Sequence, residues 1–373
     1  MSWQKYELGE LLSYEQPTPY IVEKTDYNDN YKTPVLTAGK SFILGYTNEE
    51  SGIYDSLPVI IFDDFTTASR YVNFKFKVKS SAMKILTANT NLVLPKFIYY
   101  RMQIIQFDSS THKRYWIQQY SKIKVAVPSL DEQQRIVSKI EELFSQLDSG
   151  VETLKKTKQQ LKIYRQAVLK EAFEKFNSFC KIKEVCINIV DCPHSTPKWV
   201  SIGKLCLRTT NFRRGYLDLT EQNYVSEETF NDRIKRLKPH SGDVLYSREG
   251  AILGIACIIP ENTEVCLGQR MMLLRANEEY SPYFIMHWLN SPYVTNFIKS
   301  ITGGSASPHV NVGDIKELTI PKIELHKQKE TVLEIESRLS MCDSIEKTID
   351  KSLQEAEALR QSILKQAFEG GVT

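Results

Sequence analysis

Little in this chain points to a membrane, to secretion or to a bound cofactor. No stretch of the 373 residues approaches the roughly 18 consecutive apolar side chains of a bilayer-spanning helix; the best run, Ile252 to Pro260, is far too short. The seven cysteines, an odd number, all lie from Cys180 onward without a paired framework, and no charged-then-apolar leader precedes Trp3. A reduced, cytoplasmic protein with no membrane partner is expected. An excess of charge of one sign is also lacking: 48 Lys and Arg against 45 Asp and Glu leave a formal +3, which permits nucleic acid as a partner without demanding it. With 42% hydrophobic and 25% charged residues the chain is neither disordered nor grossly basic.

Catalytic and cofactor motifs are equally scarce. Ala38-Gly39-Lys40-Ser41 has the end of a phosphate-binding loop, but the glycine required five positions before Gly39 is Pro34, so the cradle cannot form. Asn290-Ser291-Pro292-Tyr293 resembles the Asn-Pro-Pro-Tyr motif of amino-methyltransferases without its first proline, and no glycine-rich loop for S-adenosylmethionine accompanies it. A serine N-cap followed by proline at the first helical position accounts for it, as for Ser281-Pro282-Tyr283. Cys180, Cys186 and Cys192, with His194 nearby, lack the tight Cys-x-x-Cys turn of structural zinc sites, and the cysteines are read as buried free thiols. Asp63-Asp64 lacks the companion Glu-x-Lys of a nuclease. No cofactor, no metal and no catalytic residue is expected.

What the chain does have is an internal repeat. Arg165-Gln166-Ala167-Val168-Leu169-Lys170-Glu171-Ala172-Phe173-Glu174 returns as Arg360-Gln361-Ser362-Ile363-Leu364-Lys365-Gln366-Ala367-Phe368-Glu369, an offset of 360 − 165 = 195. The offset also sets Gln133 over Gln328, Ile140 over Ile335, Glu141 over Glu336 and Asp148 over Asp343. From Asp131 to about Phe176 there is no proline, and Ile136, Ile140, Leu143, Leu147, Leu154, Leu161, Tyr164 and Val168 follow steps of four and three. This is a heptad seam, repeated more weakly as Ile335, Cys342, Ile349, Ala356 and Ile363. Two apolar stripes in one chain should pair, and antiparallel packing is expected because it gives an approximate two-fold. Gly150 interrupts the first seam as a tolerated flaw.

Before each helix lies a region with strand and turn signals. Val72, Phe74, Phe76 and Val78 alternate with Tyr71, Asn73, Lys75 and Lys77 as a half-buried strand with a basic outer face, and Val59-Ile60-Ile61-Phe62 reads as a strand buried on both faces. Asp243 to Tyr246, Ile255 to Ile259 and Met271 to Leu274 are short apolar runs between turns. A helix and a strand ending in proline close each region: Pro95 to Gln106 then Ile123 to Pro128, and Pro282 to Ile301 then Glu317 to Pro321. Both regions are α/β (mixed α+β) with strand-rich cores. The expected order is a domain over 1–130, a long helix over 131–176, a second domain over 177–322 and a second long helix over 323–369.

With Pro128-Ser129-Leu130-Asp131-Glu132-Gln133-Gln134-Arg135-Ile136-Val137 leading into the first long helix, this arrangement resembles the DNA-specificity subunit of type I restriction-modification systems over essentially the whole chain. The second copy, Pro321-Lys322-Ile323-Glu324-Leu325-His326-Lys327-Gln328, has two extra residues and Lys-Gln in place of Glu-Gln. Asp191-Cys192-Pro193-His194-Ser195-Thr196-Pro197, Leu207-Arg208-Thr209-Thr210-Asn211, Gly242 to Gly250, Ile60 to Thr67 and Lys79 to Met83 add family-like segments. The resemblance implies a non-catalytic protein with two target-recognition domains and an antiparallel coiled coil. It would read an asymmetric, bipartite sequence in double-stranded DNA, dock two methyltransferase subunits, and join restriction subunits in the full complex. The paired helices would act as a ruler for the unread spacer. The rival reading is a coiled-coil scaffold that binds proteins without reading DNA.

Base reading needs Arg, Asn, Gln or Lys donors and acceptors on loops. In the first domain the candidates are Thr37, Gly39, Lys40 and Ser41, then Arg70 and Tyr71, then Ser110, Thr111, His112, Lys113, Arg114 and Tyr115. In the second they are Lys198, Arg208, Thr209, Asn211, Arg213, Arg214, Ser247, Arg248 and His309, with Gly303, Gly304, Ser305 and Ser307 where backbone amides would approach a phosphate. Arg233, Lys235, Arg236 and Lys238, and Lys155, Lys156, Lys158 and Lys162 on the first long helix, are basic runs read mainly as solvated faces.

Overall fold

The computed structural model describes residues 3–39, 41–110, 113–250, 252–303 and 308–369. Two helices, Leu130–Glu174 and Leu325–Phe368, run 45 and 44 residues. The chain divides into two compact units, Met1–Leu154 with Lys351–Thr373, and Lys155–Asp350, so the dividing points fall inside the long helices.

In the first unit the apolar run Val59–Asp63 lies between Met83–Ala88 and Ser69–Val72, and Leu12–Glu15 completes an antiparallel four-stranded sheet beyond Met83–Ala88. Alternate side chains of this strand enter different cores. Ile60 and Phe62 join Phe97, Trp116 and Tyr120, while Val59 and Ile61 join Leu36, Phe76 and Ile85. A three-stranded sheet sets Thr33–Leu36 between Ile43–Thr47 and a parallel partner, Lys77–Val78. The expected strand over 71–78 is therefore two short strands, and its basic face is not all outward. Lys77 is buried, 2.9 Å from Glu49, and donates to the Ser51 carbonyl at 2.7 Å. A buried ammonium requires such partners, which hydrophobic alternation cannot reveal.

The second unit repeats this plan with different letters. Cys186–Asp191, Met271–Ala276, Val244–Ser247 and Ala256–Ile258 form an antiparallel sheet in the corresponding order, and Lys204–Leu207 takes Cys266–Leu267 as its parallel partner. Val244 and Tyr246 face one core, Leu245 the other. The expected helix from Pro282 to Ile301 is two, Pro282–Asn290 and Pro292–Thr302, because Pro292 opens a new helix after Ser291.

Each unit pairs the two long helices antiparallel. In the first, Ile136, Ile140 and Phe144 share a core with Ile363, Leu364 and Phe368; in the second, Val168, Leu169 and Phe173 share one with Val332 and Ile335. The repeat also sets reciprocal ion pairs, Arg360 with Asp148 and Arg165 with Asp343 at 2.7 Å. Tyr164, expected in the seam, is 44% exposed and lies under the Arg338 guanidinium. A straight helix drifts from a strict heptad by about 20° per repeat, enough to turn a late position outward. Gly150 is exposed, with nothing within 4 Å of where a Cβ would stand, and the helix passes it unbroken. Gly150→Ala is expected to raise stability by about 1 kcal/mol, read as a higher urea midpoint at unchanged slope.

The strand-rich folds are locked to the helices by one repeated residue. Gln133 is fully buried; its Oε1 accepts from Leu94 N–H at 2.8 Å and its Nε2 donates to the Leu92 and Pro128 carbonyls at 3.0 Å. Gln328 does the same in the second unit, accepting from Ser281 N–H at 2.8 Å and donating to Glu279 and Ile323 carbonyls at 3.0 and 2.9 Å.

Candidate nucleic-acid interface

In each unit, loops converge at one end of the strands. In the first, Lys79 N–H donates to Leu36 O at 3.1 Å, Asp64 N–H to Ala82 O at 2.9 Å and Tyr115 N–H to Asp64 O at 2.9 Å. These bonds gather the turns after residues 36, 63 and 78 with the segment at 113–115. Thr37, Gly39 and Ser41 lie at the tip of the 33–47 hairpin, and the exposed Lys113 and Arg114 stand near the 63–67 turn, with Arg114 6.0 Å over the Phe65 ring. Ser110 is exposed beyond an Asp108 turn. Lys40, Thr111 and His112 lie outside the described residues.

Three candidates in this unit sit elsewhere. Tyr115 is 1% exposed, a core residue beside Phe107. Arg70 and Tyr71 are mid-strand, not on a loop. Arg70 lines a cavity with Tyr99, Glu141, Asp148 and Arg360, and Tyr71 packs on Tyr99 at 5.9 Å. Burial raises the Tyr99 hydroxyl above its ordinary pKa while Arg70 pulls it down. Asp63 and Asp64 serve the loop itself. Asp63 accepts from Phe65 and Thr66 N–H, and Asp64 is buried between Trp116 N–H at 2.8 Å and Lys84 at 3.4 Å.

In the second unit Cys192 N–H donates to Met271 O at 3.2 Å, Gly268 N–H to Leu207 O at 2.9 Å, Arg248 N–H to Arg270 O at 3.0 Å and Val310 N–H to Arg248 O at 2.9 Å. The turns after residues 191, 207, 247 and 267, with His309, thus share one strand end. Lys198, Arg208, Arg213, Gly303 and His309 are exposed and Thr209 is half-buried. Arg208 lies 5.6 Å over the Trp199 ring, and Arg213 pairs with Asp218 at 2.8 Å. Gly304, Ser305 and Ser307 lie outside the described residues.

Three candidates here are structural. Asn211 is 4% exposed and spends its amide on Arg208 N–H and the carbonyls of Asp218 and Glu221. Ser247 is fully buried, donating to Ile252 O and accepting from Ile255 N–H at 3.0 Å. Arg248 is 6% exposed, bidentate to Asp191 and paired with Glu249. Arg214 reaches the Asn290 carbonyl at 3.4 Å, against the long helices, and desolvation there lowers its pKa. Asn290 itself pairs with the backbone of Ala256, accepting at 3.0 Å and donating at 2.8 Å, a structural use of the Asn-Ser-Pro-Tyr segment. Arg233 of the basic run is buried, and its guanidinium donates to four backbone carbonyls of residues 193, 195, 267 and 268. Lys158 pairs with Asp350 at 2.6 Å, a bond that raises its pKa and ties the lysine to the opposite helix.

Sequence reading passed over Trp199, Ile202, Gln269 and Arg270. Trp199 and Ile202 are exposed beside Lys198, and Arg270 is exposed on the turn after residue 267. A polar Gly268-Gln269-Arg270 turn between two apolar runs was the available signal. Among the described residues no three His, Cys, Asp or Glu side chains converge as a metal site, and no helix is long and apolar enough to cross a membrane.

Comparison with known proteins places these features in a family. A model described as the type I restriction modification DNA specificity domain matches residues 1–162 and 180–355. The specificity subunit of the type I restriction enzyme EcoR124I/EcoR124II of Escherichia coli is 31% identical over 95% of this chain and 90% of its own length. The EcoKI specificity subunit of Escherichia coli strain K12 is 25% identical over 68% of this chain and 59% of its own. Two solved chains share the fold at 16% identity. One, from work on complex assembly and conformational transition of the type I R-M system, gives a TM-score of 0.72 over 99% of this chain and 98% of its own. The HsdS subunit from Thermoanaerobacter tengcongensis gives 0.54 over 99% and 97%.

Proposed function

Because the chain belongs to the type I restriction-modification DNA specificity family, as a specificity subunit, we propose that it reads an asymmetric, bipartite target in double-stranded DNA, with one half-site for residues 1–130 and the other for 177–322. Thr37, Gly39, Ser41, Lys113 and Arg114 serve the first half-site; Lys198, Arg208, Thr209, Arg213, Gly303 and His309 serve the second. The observation that carries this reading is the repetition of one loop-bearing strand end in both units with different side chains on each. Equivalent scaffolds with unlike donors read unlike sequences. The helices set the length of the unread spacer, and the chain docks two methyltransferase subunits, with restriction subunits joining the full complex. This subunit places partner active sites over bases flipped from the duplex and performs no chemistry itself.

Deleting the chain from its host and sequencing methylated adenines tests the proposal. Loss of methylation at a single split motif with a fixed spacer is the expected result. Methylation that persists unchanged would leave the chain a protein scaffold.

A further inference from the structure

We propose that Arg270 reads a guanine in the half-site assigned to the second unit, an assignment that rests on the DNA-reading function above. Among the described residues, three that are not glycine have positive φ: Thr67, Asn262 and Arg270, the last at 66°. Asparagine tolerates the left-handed region because its side chain bonds locally, whereas an arginine there carries a steric penalty and glycine is the default occupant. Such a residue persists only where its surroundings over-determine it, and such positions cluster at working sites.

The surroundings do fix it. The Arg270 carbonyl accepts from Arg248 N–H at 3.0 Å, Met271 is paired with Ser247 in the sheet, and Gly268 N–H is held by Leu207 O at 2.9 Å. The Gln269 side chain donates to the His194 carbonyl. The backbone on either side of Arg270 is thus pinned to three neighbouring segments. Its guanidinium lies over the turn at Gly250, with Nη1 3.4 Å from where a Cβ on that glycine would stand.

Two of the other arginines at this strand end are buried and occupied. Arg248 is taken by Asp191 and Glu249, and Arg233 by backbone carbonyls. Arg270 makes no side-chain hydrogen bond or ion pair among the described residues, and it is exposed on the same strand end as Lys198 and Arg208. A rigid fork of five N–H donors, held unspent at the cost of backbone strain, matches the O6 and N7 acceptors that guanine presents in the major groove.

The test is selection from a randomised duplex library by the chain assembled with its partner methyltransferase, comparing wild type with Arg270→Ala, Arg270→Lys and Arg270→Gly, alongside melting of each complex. Wild type selects a split motif with a guanine in one half-site. All three variants lose preference at that one position, with binding to the wild-type target weakened about 10- to 100-fold for Ala and Gly. The other half-site is unchanged. Arg270→Gly, free of the left-handed penalty, melts above Arg270→Ala. An unaltered motif in the variants would overturn the assignment, as would binding weakened uniformly over all sequences and restored by Arg270→Lys, the signature of a phosphate contact. Absence of any split motif for wild type would overturn the reading of the chain as a bipartite reader, and this assignment with it.

Discussion

Replacing Gln133 or Gln328 by leucine is expected to destabilise the affected unit by about 3–5 kcal/mol, far more than a typical single substitution. Leucine fills the space but removes every polar partner. Leu94 N–H and the carbonyls of Leu92 and Pro128 in one unit, and Ser281 N–H and the carbonyls of Glu279 and Ile323 in the other, lose the bonds the glutamine makes. Both glutamines are fully buried, so water cannot replace what is lost without opening the packing. Leu94 and Ser281 are also the N-caps of Pro95–Met102 and Pro282–Asn290, so the same loss loosens the start of a helix against the sheet. Chemical unfolding of each variant measures the effect. Losses below about 1 kcal/mol would mean that other contacts hold the recognition fold to its helix.

The repeat that made the helices legible in sequence also marked these two positions, since Gln133 and Gln328 stand at the constant offset. Letters at heptad spacing foretold the burial of Ile140, Ile335, Cys342 and Ile349, because a seam depends only on apolar residues recurring on one face. Strands buried on both faces, such as Val59–Asp63 and Met271–Ala276, were legible as continuous apolar runs. The polar residues were less so. Arg248, Asn211 and Ser247 have suitable chemistry for reading a base, but residue type states how many donors a side chain carries and not where they are spent. Asp191, which occupies Arg248, lies 57 residues away. Lys77 was misplaced for the same reason, since its partner Glu49 belongs to another turn. The polar turn that carries Arg270 is legible between two apolar runs, but its left-handed backbone leaves no mark in sequence.

The spacer carries the second large effect. A helix rises about 1.5 Å per residue, so three heptads inserted in register into each long helix lengthen it by about 31 Å, close to the roughly 34 Å of one duplex turn. Insertion after Leu154 and after Asp350, at the dividing points of the two units, leaves both recognition folds intact and keeps the seam in phase. A near-whole turn is chosen because a smaller change would rotate one half-site around the duplex, away from its reader.

The measurement that bears most directly on the account is the split motif selected by the wild-type chain and by this extended variant, each assembled with the methyltransferase. Two unlike half-sites at a fixed separation are expected for wild type, with the same half-sites and a spacer longer by about nine or ten base pairs for the variant. A spacer that does not lengthen, or a wild-type chain that selects no split sequence, would contradict it.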